Sequence, residues 1–290
     1  VTLGLLADPN IASKEWVFRM YDHEVRGGTV IKPASGRMNR GGPSDATVIR
    51  PLPDRERGLA LAVGVNPWFC GADAYRGGMA SIDEACRNII AVGGRPDSFT
   101  DCLNFGNPER PERLGELRQA VAGMGDLARY LGLPVPSGNV SLYNETASGA
   151  VLPTPTVLGV GIVEDVRRCV TTDLKREGNA LYLVGETRRE LGGSALYRRF
   201  GGRGGEVPAV SPERLRRSMD EMLSAMGEGL IASCHDVSDG GLAIAVAEMC
   251  LGATWAPPWR WAPNGRPFRR ATPAGWWRSS PPEKESSSPP

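Results

Sequence analysis

Histidine is scarce in this chain: His23 and His235 are the only two among 290 residues. The six cysteines, at 70, 86, 102, 169, 234 and 250, form no C-x-x-C pair. Together these shortages argue against a structural zinc site. No cysteine lies in a pattern that activates a thiolate, so the thiols read as small apolar residues. Long apolar runs are missing too: nothing approaches the ~18 residues of a membrane span. The opening stretch, from Val1 to Pro9, lacks the basic and apolar regions of a signal peptide. These absences predict a cytoplasmic protein with reduced thiols and no membrane partner. Neither sign of charge dominates. The formal net charge is +1, but residues 253–290 hold six basic and two acidic residues, leaving −3 for the rest. No basic surface for nucleic acid follows from that distribution. Two N-x-[ST] matches, at Asn139 and Asn144, read as accidental in such a protein.

What is present is an ordinary globular composition, 41% hydrophobic and 23% charged, in a chain long enough for two domains. Residues 1–44 read as a lead-in or linker, with a short helix around 13–21 followed by a Gly-, Arg- and Pro-rich stretch. Residues 45–166 alternate between strand and helix patterns. Segments 46–50, 59–65, 98–103 and 156–163 are β-like. Between them, 79–92 places Ile82, Ala85, Cys86, Ile89 and Ile90 on one helical face. A second helix carries Leu114, Leu117, Val121, Met124, Leu127 and Leu131 at three- and four-residue spacing. A further unit over 175–252 opens at Gly178 with a strand at 180–184. It continues with a helix bearing Leu215, Met219, Leu223 and Met226, a strand at 230–234 and a helix at 241–251. Both units are predicted to be α/β or α+β, with strand order left open. Residues 253–290 hold five of the seven tryptophans and nine of the 24 prolines without apolar periodicity. Disordered segments are poor in aromatics, so this tail is read as a shifted reading frame rather than an ordinary disordered end.

Two segments crowd polar side chains and glycines together. They are Asp101-Cys102-Leu103-Asn104-Phe105-Gly106-Asn107-Pro108-Glu109 and Ser137-Gly138-Asn139-Val140-Ser141-Leu142-Tyr143-Asn144-Glu145. Turns of this kind suit a phosphate and a divalent cation. Asp101 falls where a predicted strand gives way to a loop, a common place for a nucleotide- or metal-binding carboxylate, although Asp also caps turns. Gly138 permits close approach to a phosphate, and Asn139 offers a neutral oxygen to a hard cation. An Asn-containing turn is the plain alternative. In an extended segment Ser141 projects to the same side as Asn139.

Gly77-Gly78, Gly192-Gly193-Ser194 and Gly240-Gly241 each precede a predicted helix and could aim N–H groups at an anion, but simple turns explain each as well. His235-Asp236 could bind phosphate or move protons. A histidine satisfied by a backbone carbonyl is the competing reading. His23, with no polar constellation near it, reads as structural or surface.

These motifs also occur in a fixed order. Asp8-Pro9-Asn10-Ile11-Ala12-Ser13-Lys14, Tyr21-Asp22-His23-Glu24-Val25, Thr100 through Glu109, Ser137 through Glu145 and His235 through Gly241 together resemble the phosphoribosylformylglycinamidine synthase family of purine biosynthesis. The resemblance covers residues 1 to about 251 and corresponds to the second half of the family's chain. It implies a small synthase-type α/β domain that pairs with its counterpart into a barrel, followed by a second, incomplete α/β domain. It also implies a reaction in which ATP phosphorylates the formamide oxygen of formylglycinamide ribonucleotide and ammonia displaces the phosphate. By resemblance Asp101 and Gly138 contact ATP, Asn139 ligates Mg²⁺ and Ser141 contacts the ribonucleotide. The implied partners are the missing first half, a glutaminase subunit and a small accessory subunit.

The family's catalytic histidines and most of its magnesium carboxylates belong to that first half. The resemblance therefore places no catalytic residue here and predicts no turnover by this polypeptide alone. His235, Asp236 and residues 192–194 resemble the half-related counterpart of the active-site domain, where an auxiliary nucleotide binds. Trp68 stands where the family pattern leads one to expect a basic residue. The tail replaces a Ser-Glu-Ser-type segment and would leave the second domain's sheet unfinished. Thiamine-phosphate and selenophosphate kinases share the fold but need a carboxylate-rich metal motif near their start, which is lacking here. A non-catalytic scaffold half is the reading from a different class. The synthase reading requires the two polar segments to converge on one triphosphate and its ion, with the Asp101 carboxylate and the Asn139 carboxamide not on opposite surfaces.

Overall fold

The computed structural model describes residues 1–202 and 204–253. The reading of the tail as a shifted frame falls outside the described residues, apart from Ala253. In chain order the elements begin with helices α1 (Thr2–Leu6) and α2 (Glu15–Phe18) and strands β1 (Thr29–Ile31), β2 (Ala34–Ser35), β3 (Gly42–Pro43), β4 (Thr47–Ile49) and β5 (Gly58–Gly64). Helices α3 (Pro67–Ala72) and α4 (Ala74–Ala91), strand β6 (Arg95–Asn104) and helix α5 (Pro111–Leu131) follow. Next come strands β7 (Ser137–Ser141), β8 (Glu145–Thr146), β9 (Gly149–Ala150) and β10 (Thr154–Val163), and then helices α6 (Ala195–Phe200), α7 (Pro212–Gly227) and α8 (Leu242–Leu251).

A six-stranded sheet in the order β1-β4-β5-β10-β6-β7 organises residues 29–163. Its pairs are antiparallel except β6 with β7, which α5 connects in parallel. Strand alternation gives the sheet two unlike faces. Ala60, Ala62, Phe99, Leu103, Val157 and Val163 point to one face and are buried. Leu59, Leu61, Leu158, Val160 and Val63 point to the other, where Val63 is 48% exposed and Leu158 36%. This second face is an apolar surface without a full covering layer.

Local chemistry fixes the helices on the buried face. Asn66 caps α3 by accepting from the Phe69 N–H, and Asp73 caps α4 by accepting from the Arg76 N–H. Pro111 opens α5, and Gly132 closes it at φ 70° in the left-handed region that glycine adopts freely. Against the sheet, Ile82, Ala85, Cys86, Met124 and Leu127 join a core that continues into α7 through Leu215, Met219, Met222 and Met226.

Several sequence expectations change here. Gly77 and Gly78 lie inside α4 rather than ahead of it. A Cβ on Gly77 would come 2.4 Å from the Cys70 sulfur and one on Gly78 2.2 Å from the Ala120 carbonyl oxygen, so both glycines serve close packing rather than an anion. Residues 180–184 form no strand, and 230–234 contribute one isolated parallel bridge, Thr171 with Ser233. Part of the segment read as a lead-in supplies β1, at the sheet's edge. The helix expected around 13–21 shortens to the four residues of α2. Residues 137–141, read as part of a polar turn and, for Asn139 to Ser141, as an extended segment, form the other edge strand, β7.

Candidate functional site

The two polar segments meet because β6 and β7 run side by side in parallel. Asp101 pairs with Gly138, Cys102 with Asn139, and Asn104 with Ser141. Asp101 lies on the helix-covered face, where its carboxylate occupies the space left by the missing side chain of Gly138. A Cβ there would sit 2.3 Å from Asp101 Oδ1. Burial raises the Asp101 pKa, and a hydrogen bond from the Asn139 backbone N–H partly opposes that rise.

Asn139 and Ser141 project to the opposite, open face. There the Asn139 carboxamide nitrogen lies 3.5 Å from the Cys102 sulfur. Ser141 is held by Asn144, whose carboxamide nitrogen donates to the Ser141 carbonyl at 2.9 Å and approaches the Ser141 hydroxyl at 3.2 Å. The same nitrogen reaches the Phe105 carbonyl at 3.1 Å, and the Asn107 N–H donates to Glu145 Oε1 at 3.0 Å. Backbone bonds from Phe105 N to the Ser141 carbonyl, at 3.0 Å, and from Asn144 N to the Phe105 carbonyl, at 3.2 Å, complete the lacing. Tyr143 turns the chain with φ 61°, a conformation costly for a non-glycine residue and sustained by these bonds.

Asp101 and Asn139 are therefore neighbours on adjacent strands, but their functional groups lie on opposite faces of the sheet. The simple picture of two loops closing over a ligand from one side does not hold. A ligand meeting both groups must straddle β7, an edge strand exposed along Ser137, Gly138, Asn139 and Val140. The shared side of Asn139 and Ser141, by contrast, is as strand alternation predicts.

A second constellation surrounds His235. Its Nδ1 lies 2.6 Å from Asp45 and its Nε2 3.0 Å from Glu248. Alongside, Arg87 bridges Asp236 and Asp83. Burial lowers the His235 pKa, but hydrogen bonds to Asp45 and Glu248 overcome this and push it up to about 10. The ring is thus a buried cation with both nitrogens committed to carboxylates. Asp45, His235 and Asp236 approach one another closely enough to suggest a metal cluster. Both ring nitrogens of His235, however, already face the carboxylates of Asp45 and Glu248, which leaves neither directed at an ion. Neither the phosphate role nor the backbone-carbonyl alternative matches this arrangement. Asp45, Glu248 and Arg87 were not legible as its partners, because Asp45 and Asp236's partner Arg87 lie 190 and 149 residues away.

Gly192, Gly193 and Ser194 do precede α6, and the Ser194 hydroxyl caps it by accepting from the Tyr197 N–H. Trp68 faces this turn with the Arg198 guanidinium 4.8 Å from its ring centroid, a cation–π contact. His23 lies 3.4 Å from the Tyr21 carbonyl and edge-on to Phe18, in keeping with a structural or surface role. Among the described residues no helix is long and apolar enough to cross a membrane.

The sequence matches the AIR synthase related protein, N-terminal domain, over residues 43–163 and the AIR synthase related protein, C-terminal domain, over 176–254. The chain belongs to the AIR synthase related family, with the mixed α/β fold described above. Within that family its relatives are phosphoribosylformylglycinamidine synthase subunits PurL. The subunit of Methanothrix thermoacetophila is 44% identical over 87% of this chain and 33% of its own length. That of Anaeromyxobacter dehalogenans is 46% identical over 86% of this chain and 32% of its own. The chain thus spans about a third of the length of the curated relatives it matches. Among solved structures, Thermotoga maritima phosphoribosylformylglycinamidine synthase II superposes with a TM-score of 0.53 at 26% identity, covering 75% of this chain and 30% of that one. T. maritima PurL complexed with ATP gives a TM-score of 0.54 at 24% identity, with 75% and 30% covered.

Proposed function

We propose that this chain supplies the second-half portion of a phosphoribosylformylglycinamidine synthase, an ATP-dependent C–N ligase of purine biosynthesis. The observation that carries the reading is the 44–46% identity to PurL subunits across at least 85% of the chain. On this reading residues 45–166 form the N-terminal-type domain and 175–252 the C-terminal-type domain. The open apolar face of the sheet is where the counterpart half would close a barrel.

ATP would lie across β7, with Asp101 and Gly138 on its nucleotide side and Asn139 and Ser141 on the side of the reacting groups. The residues fit a magnesium ion. Asn139 presents a neutral oxygen that accepts no hydrogen bond among the described residues, because its amide nitrogen is the atom turned toward Cys102. Magnesium would offset charge on the phosphates during transfer. Ser141, locked by Asn144, would orient formylglycinamide ribonucleotide so that its formamide oxygen meets the γ-phosphate. Phosphorylation makes that oxygen a leaving group, and ammonia then displaces it to give the amidine. A glutaminase and a small accessory subunit would provide the ammonia, and the counterpart half the proton-transfer groups.

The test is Asn139→Ala in the synthase assembled from this chain and its counterpart half. The proposal expects a raised magnesium requirement with unchanged thermal stability. Unaltered turnover at limiting magnesium would remove the metal assignment.

A further inference from the structure

Cys102 occupies the centre of the polar row on the open face, opposite Thr156 of β10 on one side and Asn139 of β7 on the other. A terminal carboxamide torsion has two broad, nearly equivalent wells. An exposed asparagine therefore offers its oxygen or its nitrogen about equally unless a neighbour distinguishes them. For a cation the two states are opposites: the oxygen donates a lone pair, whereas the NH₂ group presents hydrogens that repel it.

The surroundings of Cys102 make that distinction. Asn104 uses its carboxamide nitrogen on two carbonyls, that of Cys102 at 3.0 Å and that of Thr154 at 3.4 Å. The same nitrogen lies 3.6 Å from the sulfur, and its Oδ1 faces the sulfur at 4.0 Å as acceptor for the thiol proton. The Asn139 carboxamide nitrogen lies 3.5 Å from the same sulfur, so an S–H directed to Asn104 leaves a sulfur lone pair toward Asn139.

We propose that Cys102 is a positioning residue that fixes the Asn139 carboxamide with its nitrogen inward and its oxygen outward, in the state able to receive a cation. This rests on the reading of Asn139 as a magnesium ligand. The cysteine touches neither nucleotide nor ion and acts only through Asn139. A hydroxyl at this position retains the acceptor but, with a shorter bond from Cβ, reaches less far.

The experiment uses the synthase assembled from this chain, labelled with ¹⁵N-asparagine, and its unlabelled counterpart half, comparing wild type, Cys102→Ala and Cys102→Ser, with Asn139→Gln to assign the side-chain signal. Two readouts are followed: the Asn139 side-chain NH₂ shifts without ligand, and their broadening on Mn²⁺ titration in the presence of ATP. In Cys102→Ala the NH₂ signals move to positions typical of a solvated asparagine. The Mn²⁺ concentration for half-broadening rises about fivefold, the scale of one modest hydrogen bond. Cys102→Ser falls between the two, which a general loss of structure would not produce. NH₂ signals unchanged in Cys102→Ala would overturn the proposal. Signals that respond to Cys102→Ala but never to Mn²⁺ with ATP would overturn it differently, by removing the metal reading on which the role depends.

Discussion

The imidazole of His235 lies 2.6 Å from the carboxylate of Asp45 across a sequence separation of 190 residues. That contact ties the segment before α8 to the residues just ahead of β4, and Glu248 closes the other side of the ring from α8 itself. Arg87 of α4 reaches Asp236 in the same cluster. The side chains of His235 and Asp45 are 7% and 3% exposed, so little solvent is available to replace either partner. A buried pair of this kind contributes modestly as a pair, but its disruption leaves an uncompensated charge.

His235→Gln should therefore destabilise the protein by about 3–5 kcal/mol, the usual scale for removing one partner of a buried ion pair. Combining it with Asp45→Asn should recover part of that loss, since the more buried of the two stranded carboxylates, Asp45 rather than Glu248, is then neutral. Urea denaturation of both variants measures the effect. A double variant no more stable than His235→Gln would show that the cost lies in packing rather than charge.

The same cluster sets a pH dependence. His235 titrates at 6.5 when unperturbed and is raised to about 10 in the fold. A raised pKa means that the folded state holds the proton more tightly, so this contribution is complete below pH 6.5 and is lost as pH rises toward 10. The melting temperature of the wild type should fall across that window relative to His235→Gln, and the gap between them should narrow. A gap independent of pH from 6 to 10 would contradict a protonated ring.

Gly138 and Asp101 should behave as one unit. A Cβ at Gly138 would press to 2.3 Å from the Asp101 Oδ1 and 2.8 Å from its Cγ, so the carboxylate must move and release the Asn139 N–H. Gly138→Ala should cost about 1–3 kcal/mol, as overpacking commonly does. In an Asp101→Ala background the same substitution should cost far less, because the obstructing atoms are gone. Equal costs in both backgrounds would mean that Gly138 is required for its backbone alone.

The elements legible in the sequence were those whose apolar period reports the face they bury. Leu117, Met124, Leu127 and Leu131 mark α5, and Ile82, Cys86, Ile89 and Ile90 mark α4, because each row meets the sheet or its core directly, whereas Leu114 and Val121, read in the same α5 period, are 50% and 44% exposed. The run Ala180-Leu181-Tyr182-Leu183-Val184 has strand composition but joins no ladder, since a strand depends on a partner that its own residues cannot specify. Edge strand β7 was hidden for the converse reason. Its glycine and small polar residues resemble a turn, and only pairing with β6 makes it extended. At the candidate site, alternation correctly placed Asn139 with Ser141. The opposite placement of Asp101 depends on the register between two strands, which no local pattern encodes.

Helix α5 carries a prediction with two signs. Gly123 faces α4 so closely that a Cβ would stand 2.1 Å from the Tyr75 carbonyl oxygen, while Gly115 has nothing within 4 Å. Gly78 of α4 makes the reciprocal approach, 2.2 Å from the Ala120 carbonyl oxygen, so neither backbone can retreat without disturbing the other contact. Gly123→Ala should destabilise the protein by about 1–3 kcal/mol or more through overpacking. Gly115→Ala should stabilise it by about 0.5–1 kcal/mol, because alanine loses less entropy in a helix and meets no obstacle. Because helix propensity favours alanine at both positions, opposite signs isolate the interhelical contact as the cause. Two stabilising substitutions would mean that α4 and α5 lie further apart than these glycines require.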